Sequence, residues 1–448
     1  MTREYIDELK QIVEDGDEKR AIEVLKGLHA ADIAEIYDDL NIEEAKFLYL
    51  LLDGDRAANV LAELEENDRE NFLAALPSDV IAKQFIDFMD SDDAADVIAD
   101  LPDDRREEVL AQLVDMGQAG DIVDLLNYHE DTAGGLMAKE MITVNEKWNV
   151  ETCIKEIRKL AGEIDDVYVV YVIDDDRVLK GILSLKKLII SSNEMLVSDI
   201  CNTNIISVKA DAPAEEVAII SRKYDMVTLP VVDRIGRLIG RITIDDIVDV
   251  MQEEAERDYQ LASGLVEDVE PSDTIWVLTR ARLPWLIIGL AGGILGARVI
   301  RIFESDMTIN TAIAFFLPLI AAMGGNVGVQ SSSIVVQAIA SQSVGLDSVF
   351  KRLVKEFSVA MLNGILCASI LLIVNLLLLD SLALTFSVSI ALFIVIVFAS
   401  ISGTFIPLTL HRLKIDPALA TGPFITTIND ITGMLIYLSI ARYAFLNF

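Results

Sequence analysis

Apolar residues recur every three or four positions from the start of the chain. Ile6, Leu9, Ile12 and Val13 open a pattern that runs in short stretches to about residue 130, and that period predicts amphipathic helices. Asp, Pro and Asn interrupt the stretches. A phrase also returns: Ala30-Ala31-Asp32-Ile33, Ala57-Ala58-Asn59-Val60 and Ala94-Ala95-Asp96-Val97. Short helices with a recurring phrase predict a stacked superhelix over 1–130. From 131 to 250 the pattern changes. Ile142-Thr143-Val144 is answered by Ile206-Ser207-Val208, Val172-Ile173-Asp174 by Val231-Val232-Asp233, and Gly181-Ile182-Leu183-Ser184 by Gly240-Arg241-Ile242-Thr243. These predict two β-α-β-type units, about 131–195 and 196–250, each running into a helix (Leu185–Ile190 and Asp245–Met251). Residues 251–282 read as a charged helical connector, with Ser272 to Arg282 amphipathic and Trp276 and Trp285 as interfacial anchors. Five apolar stretches follow, about 284–303, 309–340, 357–379, 384–410 and 418–446. Each can cross roughly 30 Å of hydrocarbon at about 1.5 Å per residue. The second holds Pro318 and a glycine cluster and is expected to be bent or broken.

Charge divides the chain in the same place. Residues 283–448 hold 8 Lys/Arg and 7 Asp/Glu, whereas residues 1–282 hold 29 and 65. An acidic soluble part is joined to an almost uncharged apolar part. That excludes a simple soluble enzyme and wholesale disorder, and it excludes a nucleic-acid partner, because phosphate binding needs clustered cations. Residues 1–130 alone carry 36 acids against 11 bases. Any one carboxylate there can be a solvated surface group, but the whole should repel itself and loosen unless divalent cations bind. Cys153, Cys201 and Cys367 lie far apart, as do His29, His129 and His411. No disulfide framework or His/Cys metal site is expected, so any cation handled is a hard one held through oxygen. Met1 to Lys10 is polar, so no secretory leader is expected and the acidic part should stay in the cytosol. Arg280, Arg282, Lys351, Arg352, Lys355, Arg412 and Lys414 fall on one side of five spans. Arg298, Arg301 and Arg442 fall on the other, partly offset by Glu304, Asp306 and Asp380. Positive charge marks the cytosolic side, which places the C-terminus outside.

Two places break the apolar rule within the spans. The first is Gly324-Gly325-Asn326-Val327-Gly328-Val329-Gln330-Ser331-Ser332-Ser333. Asn326 and Gln330 lie four apart on one helical face. Serines alone would be ordinary small-residue helix packing, but glycines and amides together predict a pore lining. The second is Thr426-Thr427-Ile428-Asn429-Asp430-Ile431-Thr432-Gly433. Asp430 reads as the only ionisable residue well inside the spans, near the midplane. A carboxylate there costs several kcal/mol unless it is hydrated, paired or neutralised. No Lys, Arg or His is placed to pair with it. A protonated, helix-bonded aspartate is the plain alternative; a cation site in an aqueous pore is the functional one. Pro423, after Gly422, can free carbonyls facing the same path. No nucleophile–base pair, phosphate loop or catalytic-metal spacing is visible, so no enzymatic activity is expected.

The repeat over 131–250 resembles a tandem pair of CBS domains, a regulatory sensor module. Their Gly-x-x-Ser/Thr-x-x-Asp string often holds a nucleotide ribose. The second copy has it as Gly240, Thr243 and Asp246; the first has Ser184 but Lys187 in place of the aspartate. The resemblance therefore offers ATP as a ligand, with Ser184 and Thr243 as contacts. The glycine–asparagine string, Asp416-Pro417-Ala418-Leu419, Asn429 to Gly433 with Leu435-Ile436-Tyr437-Leu438, and Glu130-Asp131-Thr132-Ala133-Gly134-Gly135-Leu136-Met137 resemble the MgtE family of magnesium channels. The parts also follow that family's order over nearly the whole chain.

The resemblance implies a multidomain fold: an all-α superhelical N-domain (1–130), an α/β tandem CBS pair (131–250), a connecting plug helix (251–282) and an all-α membrane domain of five transmembrane helices (283–448). It implies a homodimer in the lipid bilayer of the plasma or inner membrane, with a Mg²⁺-selective pore at the dimer interface that closes when cytosolic Mg²⁺ is high. Asp430 matches the family's pore aspartate, and Asn429, Thr426, Gly422, Asn326 and Gln330 surround the implied path. The implied cytosolic Mg²⁺ ligands are Asp92 and Asp96 in the N-domain, Asp225, Asp246 and Asp249 in the second CBS copy, Glu254 and Asp258 on the plug helix, and Asp416 at the pore mouth. Some positions depart from the family pattern. Asn59 stands for an N-domain glutamate, Arg257 for a plug-helix acid, Pro213 for a CBS acid (leaving Glu215), Val329 for a pore asparagine and Gly422 for a residue near the mouth. The rival readings are a transporter of Co²⁺ or Ni²⁺, a Mg²⁺ exporter, and a non-transporting membrane sensor, which would have no use for a midplane carboxylate.

Overall fold

A computed structural model of the chain describes residues 3–160, 167–266, 269, 273–340, 349–378, 381–420 and 422–447. The chain divides into two compact units, Met1–Glu253 and Glu254–Phe448. The first unit opens with ten helices: α1 (Arg3–Asp15), α2 (Glu18–Leu25), α3 (Ala30–Ala34), α4 (Ile42–Tyr49), α5 (Gly54–Ala62), α6 (Glu66–Ala74), α7 (Ser78–Gln84), α8 (Ser91–Ala99), α9 (Asp103–Leu110) and α10 (Met116–Leu125). Much of the acidic charge sits where these helices begin. Asp17, Asn41, Asp53 and Asp115 cap backbone N–H groups, and Glu43, Glu44, Asp103 and Asp104 lie in first turns, where the helix dipole favours negative charge.

The recurring alanine phrase opens α3 and begins at the fourth residue of both α5 and α8, where Ala57, Ala58 and Ala94 are fully buried. Small side chains there let successive helices stack closely. A second device recurs along the stack. The Arg56 guanidinium donates to the carbonyls of Leu25 and Leu28 at 2.7 and 2.9 Å. Gln84 donates to Leu52 O at 2.9 Å, Arg105 to Leu73 O and Leu76 O, and Gln118 to Ile86 O and Met89 O at 3.0 Å. Donor and acceptor lie 28 to 32 residues apart each time. The last carbonyls of a helix lack an intrahelical partner, so each repeat caps the one before it.

Two three-stranded sheets follow, β1 (Thr143–Asn145), β2 (Val170–Ile173), β3 (Leu179–Leu183) and β4 (Val208–Lys209), β5 (Thr228–Val232), β6 (Leu238–Thr243). In each sheet the first pair is parallel and the second antiparallel. The repeat read in the sequence is thus a structural repeat. Helices α11 (Val150–Leu160), α12 (Leu185–Ile190), α13 (Val197–Ile200), α14 (Ala214–Tyr224) and α15 (Ile244–Ser263) complete the pair. The two copies are interlocked. Ala138 pairs with Arg241 of β6, and Asn202 pairs with Ile182 of β3. The segment before the first strand of each copy therefore pairs with the other copy's sheet. This explains the two matched glycines: a Cβ on Gly181 would lie 2.8 Å from Cys201 Sγ, and one on Gly240 2.6 Å from Met137 Sδ. Residues 133–137 pack into the core of the second copy, which is continuous with that of the helical stack, while the first copy keeps a separate core around Val144, Val172 and Leu183.

The second unit holds α16 (Ile275–Ile302), α17 (Glu304–Ile309), α18 (Ala312–Phe315), α19 (Leu317–Ala340), α20 (Val349–Leu378), α21 (Leu382–Arg412) and α22 (Pro423–Asn447). Among the described residues, five stretches are long and apolar enough to span a bilayer: Ile275–Ile302, Ala312–Ile339, Lys351–Leu378, Leu382–Arg412 and Pro423–Phe445. α21 is the most enclosed and packs on α19, α20 and α22.

Several local expectations change. The break in the second span falls before Leu317, and the glycine cluster lies inside the unbroken α19. Pro318 is in the first turn of α19, where a missing N–H is tolerated. Pro423 likewise begins α22, so it frees no mid-helix carbonyl; the chain reaches it through a 3₁₀ turn, Pro417–Ala420, and Gly422 at φ 57°. Asp430 is then seven residues, about 10 Å, into the 25-residue α22, and closer to its middle than to its start. α15 carries the charged connector as a continuation of the last CBS helix. It ends at Gly264 (φ 88°), where Leu265 N donates to Gln260 O, a left-handed C-cap. Trp276 is exposed, but Trp285 is buried, so only Trp276 suits an interfacial anchor.

Candidate metal centres

The first candidate site lies where α8 begins. Asp92 and Asp93 occupy its first turn. Asp90, Asp92 and Glu140 bring one carboxylate oxygen each within 4.8 Å of one another. Ser91, buried, ties the two segments together: its hydroxyl donates to Glu140 Oε2 at 2.8 Å and accepts from Lys139 N at 2.9 Å. The first turn of α15 supplies Asp245 and Asp246. Burial first, then the charge of Asp246, pushes the Asp92 carboxyl well above its ordinary range. Burial, Asp246 and Asp90 push Asp93 up to about 7. Asp246 rises to about 6 through burial, against two hydrogen bonds from Thr243 (N at 3.0 Å, Oγ1 at 2.7 Å). Asp249 is raised by burial and by Asp245. Several carboxyls forced together in this way suit a hard divalent cation, whose charge reverses the local preference.

The sign of these shifts makes a prediction. Carboxyls raised above their unfolded value of about 4 add stability when protonated and lose it as pH rises through their folded values. The cation-free protein should therefore unfold at a lower temperature at pH 8 than at pH 5, with the change concentrated up to about pH 7. Millimolar Mg²⁺ should flatten the trend. A melting temperature that rises with pH in chelator would contradict the cluster as described.

The other expected cytosolic ligands are spread out. Asp96 is exposed one turn beyond Asp92. Asp225 is exposed in the left-handed cap of α14 (φ 51°), and Glu215 is exposed in that helix's first turn. Neither Asp225 nor Glu215 joins a three-carboxylate group among the described residues. Glu254 and Asp258 are half-buried and four apart on α15, and Arg257 lies 3.9 Å from Glu254. Asp416 Oδ1 accepts from Ala418 N at 2.8 Å and so opens the 3₁₀ turn. Of the expected nucleotide contacts, Ser184 caps α12, accepting from Lys187 N, and Thr243 donates its hydroxyl to Asp246. Lys187 Nζ donates to Ile200 O.

The second candidate site is in the membrane unit. Asp430 is half-buried, and no cation pairs with it among the described residues. It rests against the glycine face of α19: a Cβ on Gly325 would lie 3.4 Å from Asp430 Oδ1. Thr426, one turn earlier, donates to Gly422 O and Pro423 O. Asn326 and Gln330 share an exposed face of α19. Asn429 corrects the expectation of an ion-facing amide. It is 1% exposed, its Oδ1 accepts from Ser402 Oγ at 2.8 Å, and its Nδ2 sits against Gly328 without a partner among the described residues. Successive residues of a helix point about 100° apart, so Asp430 and Asn429 cannot both face the path. The glycines do what small-residue packing does: a Cβ on Gly328 would strike Asn429 Nδ2, and one on Gly403 would strike Gly328 O. Gly328→Ala is accordingly expected to lower the melting temperature by several degrees or to abolish recovery of monodisperse protein. A variant with parent-like stability would show that α19 and α22 can part at no cost.

One residue escaped the sequence reading. Glu356 belongs to α20, inside a membrane-length stretch, so Asp430 is not the only carboxylate there. Lys351, Arg352 and Lys355 directly before it made the segment read as a loop; the helix in fact starts at Val349 and carries those charges in its first turns. Glu356 Oε1 accepts from Ser331 Oγ of α19 and Ser400 Oγ of α21, both at 2.6 Å.

Three family models match in chain order: the MgtE intracellular N domain over 28–131, the CBS domain over 133–193 and 197–253, and MgtE, described as a divalent cation transporter, over 317–440. A protein of Thermus thermophilus named magnesium transporter MgtE is 34% identical over 440 residues, 97% of either chain. The chain belongs to the MgtE family. An Enterococcus faecalis protein of the same name is 37% identical over 423 residues, covering 94% of this chain and 92% of that one. The crystal structure of the cytosolic domain of the Mg²⁺ channel MgtE in complex with ATP matches with a TM-score of 0.52 at 33% identity, over 55% of this chain and 99% of that one. The crystal structure of the soluble part of a magnesium transporter matches with a TM-score of 0.51 at 29% identity, over 56% and 98%. The MgtE-type N-domain, the CBS pair and a helical region with five membrane-length helices are thus all present.

Proposed function

We propose that this chain transports Mg²⁺ into the cytosol through a pore whose ion site is Asp430, and that cytosolic Mg²⁺ closes it. The observation that carries the reading is Asp430 itself: a carboxylate in an apolar helix, with no cation paired to it among the described residues, against the glycine face of α19. Mg²⁺ dehydrates reluctantly, so the ion would be held through its water shell. Two chains meeting at their α22 helices would place two such carboxylates on one path. The positive-inside bias puts the acidic unit in the cytosol and the C-terminus outside, in the plasma membrane. The inward potential then drives uptake without ATP.

The cytosolic cluster supplies the switch. Mg²⁺ bound among Asp90, Asp92, Glu140 and Asp246 would hold the N-domain against the CBS pair, with Asp96, Asp225, Asp249 and Glu215 as further ligands of the same unit; Glu254, Asp258 and Asp416 are proposed as separate Mg²⁺ ligands. A cation can bias the pore only by its greater affinity for the closed state. ATP, bound by the cytosolic domain of a relative, is a lesser candidate here, since Ser184 already caps α12 and Thr243 already donates to Asp246. The test is Mg²⁺ flux into liposomes containing the purified protein, with magnesium-free lumen and an imposed potential. Flux above protein-free vesicles is expected; its absence would favour a non-transporting sensor. Co²⁺ passing as fast as Mg²⁺ would favour the broader-carrier alternative.

A further inference from the structure

We propose that Glu356 is a positioning residue for the pore carboxylate, holding α19 and α21 in the register on which Asp430 rests; this builds on the reading of Asp430 as the ion site. Glu356 is half-buried, and the two serines that donate to it are 4% and 2% exposed. The serine oxygens lie 3.0 Å apart. One carboxylate oxygen thus gathers a hydroxyl from each of two neighbouring helices. An ionisable residue in a membrane-crossing helix is expensive, and helix association alone does not need it, because lone serines can bond to their own helix carbonyls. What the carboxylate adds is geometry.

Both tethers end beside the pore turn. Ser331 is three residues from Gly328, whose backbone is wedged between Gly403 of α21 and Asn429 of α22; a Cβ on Gly403 would also lie 3.1 Å from Ser331 Cβ. Ser400 is two residues from Ser402, which donates to Asn429 Oδ1. The same α19 face that meets Asn429 at Gly328 meets Asp430 at Gly325. Releasing Glu356 would let α19 and α21 shift against α22 and change the space beside Asp430, with no loss of a group that touches the ion.

The test uses the full-length protein in liposomes. Glu356→Leu replaces the carboxylate with an apolar group of similar size. It is expected to cut Mg²⁺ flux about tenfold and raise the ratio of Co²⁺ to Mg²⁺ flux, at unchanged thermal stability. Glu356→Gln keeps an acceptor oxygen and should stay within about threefold of the parent. Ser331→Ala with Ser400→Ala should reproduce Glu356→Leu, and combining all three should add nothing, as a shared network requires. If Glu356→Leu does not fold, the serine pair carries the test. Parent-like flux and selectivity in the leucine variant, or in the serine pair, would overturn the proposal. So would a glutamine variant as impaired as leucine beside an unaffected serine pair, because the charge itself would then be what the ion needs. No flux in the parent overturns the pore reading and this proposal with it; parent flux with an unaffected leucine variant overturns this proposal alone.

Discussion

Asp430→Asn is expected to abolish Mg²⁺ flux while leaving the fold intact. The amide has the shape of the carboxylate, so the contact with Gly325 survives and only charge is lost. A dipositive ion about 5 Å from one carboxylate, at an effective dielectric of about 20, gains roughly 6 kcal/mol. Each 1.4 kcal/mol is tenfold, so even a strongly discounted loss exceeds about 10²-fold. Asp430→Ala should behave alike. Both are read as flux per mole of reconstituted protein, beside a thermal melt in detergent. Near-parent flux in Asp430→Asn would mean that the ion does not pass this carboxylate, and the pore would have to be sought elsewhere.

The second large effect concerns closing. In Asp92→Asn with Asp246→Asn, Mg²⁺ should no longer protect the full-length protein from protease, and flux should persist at cytosolic Mg²⁺ that shuts the parent. Asp92 is raised by burial and by Asp246, so the two carboxyls repel in the absence of cations and share any cation that enters. On the proposed gating scheme, neutralising both removes the repulsion that would open the interface and the ligands that would close it. A swing from 90% closed to 90% open needs only about 2.6 kcal/mol, well within the worth of one or two lost ions. The expected readout is a shift of more than tenfold in the Mg²⁺ concentration giving half-maximal protection. An unchanged midpoint would remove this cluster from the gating scheme.

Residues with a local signature were legible early. The alanine phrase marked buried faces of the helical stack, and the matched triplets and glycines marked two sheets of one topology. Asp430 stood out because a carboxylate in a long apolar stretch needs no third dimension to be noticed. Glu356 did not, because three basic residues directly before it masked the start of α20. Asn429 misled for the opposite reason: beside Asp430 in the chain, it points about 100° away around the helix and is spent on Ser402 and Gly328. Glu140 had no signature at all, since its role comes from Ser91, 49 residues earlier.

Periodicity, composition and charge by themselves determined the order of the parts, the five membrane-length stretches and the acidic cytosolic character, because each depends on residues close in sequence. Only the tertiary structure decided that the segment before the first strand of each CBS copy pairs with the other copy's sheet and that Gly328 and Gly403 serve close helix packing. It alone decided that Asp90, Asp92, Glu140 and Asp246 gather at one place and that Glu356 reaches two serines on other helices. Those facts depend on contacts between distant segments, set by burial and hydrogen-bond satisfaction over the whole fold, to which no local pattern refers.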